Sequence, residues 1–267
     1  MSRSAELSRQ LMPLVREVAR EGGDIAMRFF RSGLTTSARV WSKAGGSPVT
    51  EADVAVDTFL KIRLSRALPE AAWLSEETAD DLRRLGRELV WIVDPIDGTR
   101  AFLAGSHDWS VAIALLENDR PILGAVHAPA HDTLYEAEAG GGAKRNDHPI
   151  LVSAVDDLAG LSVAGPKPLL DKLARRHPDI KRPPRIPSLA LRIARVAEGS
   201  VDVGLVFSGA RDWDIAAAHI VLTEAGGSLT DLGGRPPPYN QPDPCHDELA
   251  AAPARLQARV IEAITAP

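Results

Sequence analysis

The sequence has almost no cysteine. Cys245 is the single one among 267 residues, so the chain can form neither an intrachain disulfide nor a cysteine metal cluster. It also has no long apolar run, because stretches such as residues 111–116 are far shorter than the ~20 residues that cross a bilayer. The first segment is polar and amphipathic, unlike the apolar core of a signal peptide. These absences predict a cytoplasmic protein with no membrane partner.

Positive charge is also in deficit. Lys and Arg number 31 against 36 Asp and Glu, which gives a formal net charge of −5. Proteins that bind duplex nucleic acid gain most of their affinity from massed Lys and Arg, so no nucleic-acid polymer is expected as a partner. A small phosphorylated molecule is compatible with this charge. With 45% hydrophobic and 25% charged residues, the chain can build a sizeable core.

The N-terminal part of the sequence predicts two helices. Apolar residues that recur every three to four positions predict a first helix that continues to Phe30. After a loop that contains Lys43 and Gly45, Thr50 is a typical N-cap for a second helix. Asp53 then lies in the first turn of that helix.

The remaining pattern predicts an α/β protein with two lobes. Short apolar runs predict two buried strands followed by an antiparallel meander, at residues 72–74, 90–93, 111–116, 122–126 and 133–138. From about residue 150, strands alternate with helices. We therefore expect an N-terminal lobe, residues 1–150, and a C-terminal α/β lobe, residues 151–267. Proline-rich segments at 182–187 and 235–244 favour surface loops over ligands for a polyproline-binding domain.

The segment at residues 91–100 carries the clearest chemical signal. A strand delivers Asp94, Pro95 forces a turn, and Asp97-Gly98-Thr99 opens a short helix whose backbone N–H groups favour an anion. Two carboxylates beside a phosphate would repel it unless cations neutralised them, and an all-oxygen donor set suits Mg²⁺. A capped turn with Asp97 as the N-cap is the alternative interpretation.

Two further acidic segments favour the metal site. Glu76 and Glu77 follow one predicted strand, and Asp212 and Asp214 precede an apolar helix. Each segment can present a carboxylate to a common point, and three separated clusters are enough for two or three metal ions. The alternatives are that Asp212 only caps its helix and that Glu77 belongs to a solvated face.

Together these motifs resemble the lithium-sensitive, Mg²⁺-dependent phosphatase superfamily that contains inositol monophosphatase. The matching segments occur in family order at residues 48–53, 75–77, 94–99, 213–217 and 223–227. The resemblance spans nearly the whole chain. It implies an enzyme with a layered αβαβα sandwich of the sugar-phosphatase type, and it leaves a homodimer open.

The resemblance also implies roles for individual residues. Two or three Mg²⁺ ions would be held by four carboxylates and one backbone carbonyl: Glu76, Asp94, Ile96, Asp97 and Asp214. Thr99, hydrogen-bonded to Asp53, would activate the attacking water, with Glu76 contributing. The N–H groups of Gly98 and Thr99 would hold the phosphate. A phosphatase with an aspartyl nucleophile is excluded because Asp94 and Asp97 are three positions apart rather than two, and no P-loop motif is present.

Within the superfamily, the sequence is most similar to the bisphosphate nucleotidases. Arg100 and Arg192 stand where those enzymes carry Lys or Arg, and cations suit a substrate with a second phosphate. The expected reaction removes the 3′-phosphate of adenosine 3′,5′-bisphosphate or of its 5′-phosphosulfate analogue, in sulfur assimilation. A phosphatase for inositol 1-phosphate or a related polyol is the alternative, and a non-catalytic phosphate-binding regulator is a second. His107 and Trp109 could contact the substrate or flank the next strand.

Overall fold

The computed structural model describes residues 3–42 and 46–266. Lys43 and Gly45, in the loop predicted above, lie outside the described residues. Helices α1 to α7 are Arg3–Met27, Glu51–Ala67, Thr99–Leu103, Lys167–Arg176, Leu189–Ala197, Asp212–Glu224 and Gln257–Thr265. Strands β1 to β15 are Val40–Ser42, Pro48–Thr50, Ala72–Ser75, Leu89–Asp97, Ser110–Glu117, Arg120–Ala128, Thr133–Glu138, Gly142–Arg145, His148–Ile150, Val163–Ala164, Val203–Val206, Ala210–Arg211, Gly227–Asp231, Cys245–His246 and Leu249–Pro253.

Seven strands form one large sheet, in the order β3-β4-β5-β6-β7-β8-β9. β3 and β4 are parallel, and each later pair is antiparallel. On β4, Trp91 and Val93 pack on one side of the sheet, whereas Val90 and Ile92 pack on the other. A strand buried on both faces is apolar along its whole length, which explains the uninterrupted run in the sequence. The predicted meander is confirmed.

The first two helices, α1 and α2, cover one face of the large sheet. α1 ends at Met27 rather than at the predicted Phe30, because its last turn unwinds while Phe30 still donates to the Ala26 carbonyl at 3.2 Å. Thr50 caps α2 as predicted. Its hydroxyl accepts from the Asp53 N–H while the Asp53 carboxylate accepts from the Thr50 N–H, which forms a capping box.

α5 and α6 cover the other face of the large sheet and separate it from a second sheet. The second sheet has the order β10-β11-β15-β13, and α4 and α7 pack on its outer side. A Cβ built on Gly124 of β6 would lie 2.5 Å from the Ala217 carbonyl oxygen of α6, so only glycine permits this close packing. The layers run helix, sheet, helix, sheet, helix. The predicted αβαβα sandwich is confirmed.

The two parts of the chain share one core. The first sheet ends at Ile150 and the second begins at Val163, but the central apolar cluster contains residues from both parts, such as Ile92 and Ile193. The lobe boundary near residue 150 stays a prediction. Only β10 and β11 are parallel in the second sheet, so the alternation of strands and helices did not produce an all-parallel arrangement. Across the described residues, no helix is both long and apolar enough to span a membrane.

Candidate active site

The end of β4 and the start of α6 bring three carboxylates together. Asp94 and Asp97 lie on β4, Asp214 lies in the first turn of α6, and one carboxylate oxygen of each lies within 4.8 Å of the others. Residues three apart on a regular strand face opposite sides. Here the ladder between β4 and β5 shifts between Asp94 and Asp97, where Pro95 has no N–H to donate. The shift allows both aspartates to reach one point.

The electrostatics of this carboxylate cluster favour cations. Asp94 and Asp97 are 1% and 5% exposed. Burial, and then the charges of Glu76, Asp97 and Asp214, raise the pKa of Asp94 well above its usual value. Burial raises the pKa of Asp97 to about 6, although hydrogen bonds from Ser188 and Ala190 oppose the rise. Burial and the charge of Asp97 likewise raise the pKa of Asp214.

These raised pKa values mean that burial and mutual repulsion penalise the charged forms of the three aspartates. A buried, all-oxygen donor set in which the carboxylates repel one another fits Mg²⁺. Glu76 follows β3, next to β4 in the sheet, and its charge contributes to raising the pKa of all three aspartates. Three of the four predicted acidic ligands therefore lie together, and Glu76 is near enough to interact with them electrostatically.

Thr99 and Asp53 make different contacts from the bond expected between them. The Thr99 hydroxyl donates to the Ile96 carbonyl at 3.1 Å, and the Asp53 carboxylate accepts from the Thr50 N–H at 2.8 Å and from the Thr50 hydroxyl. Asp53 is thus engaged in the capping box of α2, which local sequence favours. Gly98 has a φ of 90°, a left-handed value that favours glycine. It is the N-cap of α3, which begins at Thr99.

The two arginines assigned to the substrate differ in their surroundings. Arg100 is exposed on α3. Arg192 donates to the Ile186 carbonyl at 2.8 and 3.2 Å and to the Leu205 carbonyl at 2.9 Å. Burial lowers the pKa of Arg192, and the nearby Asp97 carboxylate opposes this shift. Arg192 therefore lies close to the carboxylate cluster, but three of its five N–H groups bind the protein itself.

A cavity beside Arg192 is lined by two further basic side chains that the sequence analysis did not single out. It measures about 460 Å³, and the described residues that line it include Lys167, Arg185 and Arg192 but no acidic side chain. Arg185 belongs to the proline-rich segment 182–187. The pattern predicted a surface loop there, and only the path of the chain reveals that this loop forms a wall of the cavity.

Asp212 has a structural contact that the sequence did not predict. Its carboxylate accepts from the Asn240 N–H at 2.8 Å and bonds to His246 Nε2 at 2.7 Å, rather than capping α6. The buried Arg84 guanidinium donates to the Asn240 side chain at 2.8 Å. These bonds attach the chain segment that follows Glu76 to the start of α6.

Trp109 and His107 have different surroundings. Trp109 is fully buried and packs on Phe30 and Phe102, with ring centroids 5.5 and 5.0 Å away, so it belongs to the core. The His107 ring bonds to the Ser32 hydroxyl at 2.7 Å and lies edge-on to the His131 ring. Trp109 therefore flanks the next strand, which is one of the two alternatives that the sequence left open.

A layered αβαβα fold that brings carboxylates together at the end of β4 is the fold of a family of phosphatases. The model of the inositol monophosphatase family matches residues 8–266, and the chain belongs to that family. In solved structures, the Thermotoga maritima IMPase superposes with a TM-score of 0.83 at 27% identity, covering 96% of each chain.

Curated relatives carry three different phosphatase names. A 3′(2′),5′-bisphosphate nucleotidase CysQ from Shigella flexneri is 32% identical over 86% of this chain and 94% of its own length. An inositol-1-monophosphatase from Mesorhizobium japonicum is 32% identical over 88% of both chains. A histidinol-phosphatase from Mycobacterium tuberculosis is 37% identical over 75% of this chain and 80% of its own. The chain is a phosphatase that acts on small phosphorylated molecules.

Proposed function

We propose that this phosphatase is Mg²⁺-dependent and removes the 3′-phosphate of adenosine 3′,5′-bisphosphate or of its 5′-phosphosulfate analogue. The observation that carries the choice is Arg192, whose charge interacts with the Asp97 carboxylate and whose side chain also lines a cavity of about 460 Å³ together with Lys167 and Arg185. The reacting phosphate is held at the carboxylate cluster, whereas a second phosphate needs cationic partners of its own. Similarity to the nucleotidase from Shigella flexneri supports the same substrate.

The carboxylate cluster would hold the cations. Asp94, Asp97 and Asp214 would bind Mg²⁺ together with Glu76 and, as the resemblance implies, the Ile96 carbonyl. Mg²⁺ at this position would supply Lewis acidity, which activates water and stabilises negative charge on the leaving oxygen. We propose two or three ions, the number that separate acidic clusters can hold.

The remaining groups orient the reactants. The Gly98 and Thr99 N–H groups at the start of α3 would bind the reacting phosphate, because the first N–H groups of a helix have no intrahelical acceptor. The Thr99 hydroxyl would orient the attacking water. Asp53, in the first turn of α2, and Glu76 would assist Thr99 in activating this water. Arg100, exposed on the same helix, would contact the second phosphate.

Two other substrates are favoured by specific relatives. Inositol 1-phosphate is supported by the enzyme from Mesorhizobium japonicum and histidinol phosphate by that from Mycobacterium tuberculosis. A non-catalytic regulator is not retained, since the relatives are named as phosphatases. Inhibition by Li⁺, a role in sulfur assimilation and a cytoplasmic location belong to the same proposal.

A panel of substrates tests the proposal. Phosphate release in Mg²⁺ would be measured with adenosine 3′,5′-bisphosphate, its 5′-phosphosulfate analogue, inositol 1-phosphate and histidinol phosphate. We expect the highest kcat/KM with one of the two nucleotides, and no release in the presence of a chelator. A higher kcat/KM with inositol 1-phosphate or histidinol phosphate would replace the proposed substrate with that one.

A further inference from the structure

The Asp97 carboxylate is attached to the first turn of α5. Its Oδ2 atom accepts hydrogen bonds from the Ser188 hydroxyl and, at 2.7 Å, from the Ala190 N–H. Ser188 is completely buried. These contacts join two parts of the chain about 90 positions apart, so nothing in the local sequence of either part indicates them.

The hydrogen bonds around Ser188 have a defined direction. A hydroxyl has one proton and two lone pairs. The Ser188 proton points to the Asp97 carboxylate, since an ionised carboxylate can only accept, and one lone pair accepts from the Leu191 N–H at 3.0 Å. The Ser110 hydroxyl, 3.0 Å from Ser188 Oγ, must therefore be the donor to the remaining lone pair. The chain of donors runs from Ser110 to Ser188 to Asp97.

This arrangement opposes the repulsion inside the carboxylate cluster. Oxygen atoms of Asp94 and Asp214 lie within 4.8 Å of one of Asp97, and when these groups are ionised without a cation they push its carboxylate away. Two donors on Oδ2 hold the group against that force and leave the Oδ1 lone pairs as the better ligands for a cation. A ligand that is already oriented loses less conformational freedom when the metal binds.

We propose that Ser188 is a positioning residue that orients Asp97 as a ligand of the divalent cation and so raises the affinity of the site for Mg²⁺. This inference rests on the proposed function, because it takes the carboxylate cluster to be the metal site. Hydrogen-bond partners of metal ligands typically account for 10- to 100-fold in metal affinity. We therefore expect a loss of this size when the Ser188 hydroxyl is removed.

Ser188 also caps α5, and two substitutions separate the roles. Ser188→Ala and Ser188→Gly both remove the hydroxyl, but glycine is a much better N-cap than alanine. If the hydroxyl acts through Asp97, both variants should weaken Mg²⁺ binding by a similar 10- to 100-fold. If it acts only through the helix, the glycine variant should bind nearly as tightly as the unmutated protein.

The experiment measures Mg²⁺ binding to the chelator-treated full chain by titration calorimetry, together with the Tm in the absence of metal. Ser8→Ala is the matched control, because Ser8 is equally buried but lies on α1, and its Mg²⁺ affinity should not change. Ser110→Ala keeps the bond from Ser188 to Asp97, so we expect a smaller loss than for Ser188→Ala.

The outcomes distinguish this inference from the proposed function. Weaker binding in both Ser188 variants, with Ser8→Ala unchanged, supports the inference. Unchanged affinity in both variants, or a loss in the alanine variant alone, overturns it while the proposed function stands. Failure of the unmutated protein to bind Mg²⁺ overturns both, and Mg²⁺ binding without release of phosphate from any substrate overturns the proposed function alone.

Discussion

The three basic residues at the cavity differ in how they are paired. Arg192 is held by the carbonyls of Ile186 and Leu205, and Lys167 Nζ lies 2.6 Å from an Asp171 oxygen. Arg185 is exposed and, within residues 3–42 and 46–266, makes no ion pair. The guanidinium group of Arg185 is therefore the most available of the three for a phosphate oxygen.

Neutralising Arg185 should alter specificity. A charge-assisted hydrogen bond contributes ~1.5–3 kcal/mol, so Arg185→Gln should lower kcat/KM for adenosine 3′,5′-bisphosphate by roughly 10- to 100-fold. It should affect inositol 1-phosphate little, because that substrate has no second phosphate. Arg182→Gln is the control, since Arg182 lies in the same loop but pairs with Asp171. Equal losses on both substrates, or none, would contradict the assignment, and Arg100→Gln in the same assay tests Arg100.

At the residue scale, the sequence predicted the acidic side chains better than their partners. Asp94 and Asp214 could be found because Asp94 directly follows an apolar run and Asp214 directly precedes one, a pattern that is visible in the local sequence. The partners of Arg192 could not be found, because the fold decides that the Ile186 and Leu205 carbonyls lie within its reach. Asp53, in a capping box with Thr50, has a partner set by local sequence, and so does Asp214, whose carboxylate accepts from the Arg211 N–H.

At the scale of the element, one irregular strand and one helix build the site. β4 has to lose its regular register between Asp94 and Asp97, and α6 has to begin at the same place. The apolar run that forms β4 and the Pro95 that interrupts it were visible in the sequence. The partly antiparallel second sheet was not, because strand direction depends on the path of the connections rather than on the pattern of the strand.

The start of α6 is attached to the segment after Glu76 through Arg84, and this predicts a stability effect. Arg84 is 1% exposed and donates to Asn240 Oδ1 at 2.8 Å and to the Gln241 carbonyl at 2.9 Å. Arg84→Met would leave the buried Asn240 Oδ1 unsatisfied, at about 1–3 kcal/mol, and would also remove the pairing of Arg84 with Asp80 at 2.7 Å. We expect the free energy of unfolding, measured in urea, to fall by about 2–4 kcal/mol.

The neighbouring arginine provides the control for that measurement. Arg83 pairs with Asp81 at 3.2 Å, but the two side chains are 86% and 63% exposed. Exposed pairs contribute ~0–1 kcal/mol, so Arg83→Met should leave the urea midpoint nearly unchanged. Similar losses in the two variants would mean that the buried bonds of Arg84 are not what stabilises this part of the fold.

At the scale of the whole molecule, the layered fold buries a charge cluster that does not stabilise it. The αβαβα sandwich encloses Asp94, Asp97 and Asp214, and burial raises the pKa of each. The fold class could be predicted because ordered motifs spread over nearly the whole chain point to one family. The loss of stability that the carboxylate cluster causes in the metal-free protein could not be predicted, because it depends on burial, which only the packed structure defines.

This loss of stability in the metal-free protein should appear as a pH-dependent response of the Tm to Mg²⁺. A carboxyl whose pKa is raised in the folded state binds protons that the unfolded chain has already released. As pH rises from the unfolded pKa of ~3.9 through about 6, the folded pKa of Asp97, the metal-free protein therefore loses stability from this cluster. Mg²⁺ binds the ionised carboxylates, so it should restore that stability mainly above pH 6.

We expect Mg²⁺ at about a hundred times its Kd to contribute ~2.7 kcal/mol at pH 8, which for a chain of this size is roughly 5–10 °C in Tm, and much less at pH 5. Differential scanning calorimetry with and without Mg²⁺ at the two pH values measures this, and groups outside the cluster cancel in the difference.

Asp94→Asn removes one of the repelling charges, so it should raise the Tm of the metal-free protein at pH 8, abolish most of the response to Mg²⁺ and stop turnover. A response to Mg²⁺ as large at pH 5 as at pH 8, or one that survives in Asp94→Asn, would mean that the ion binds somewhere other than this cluster.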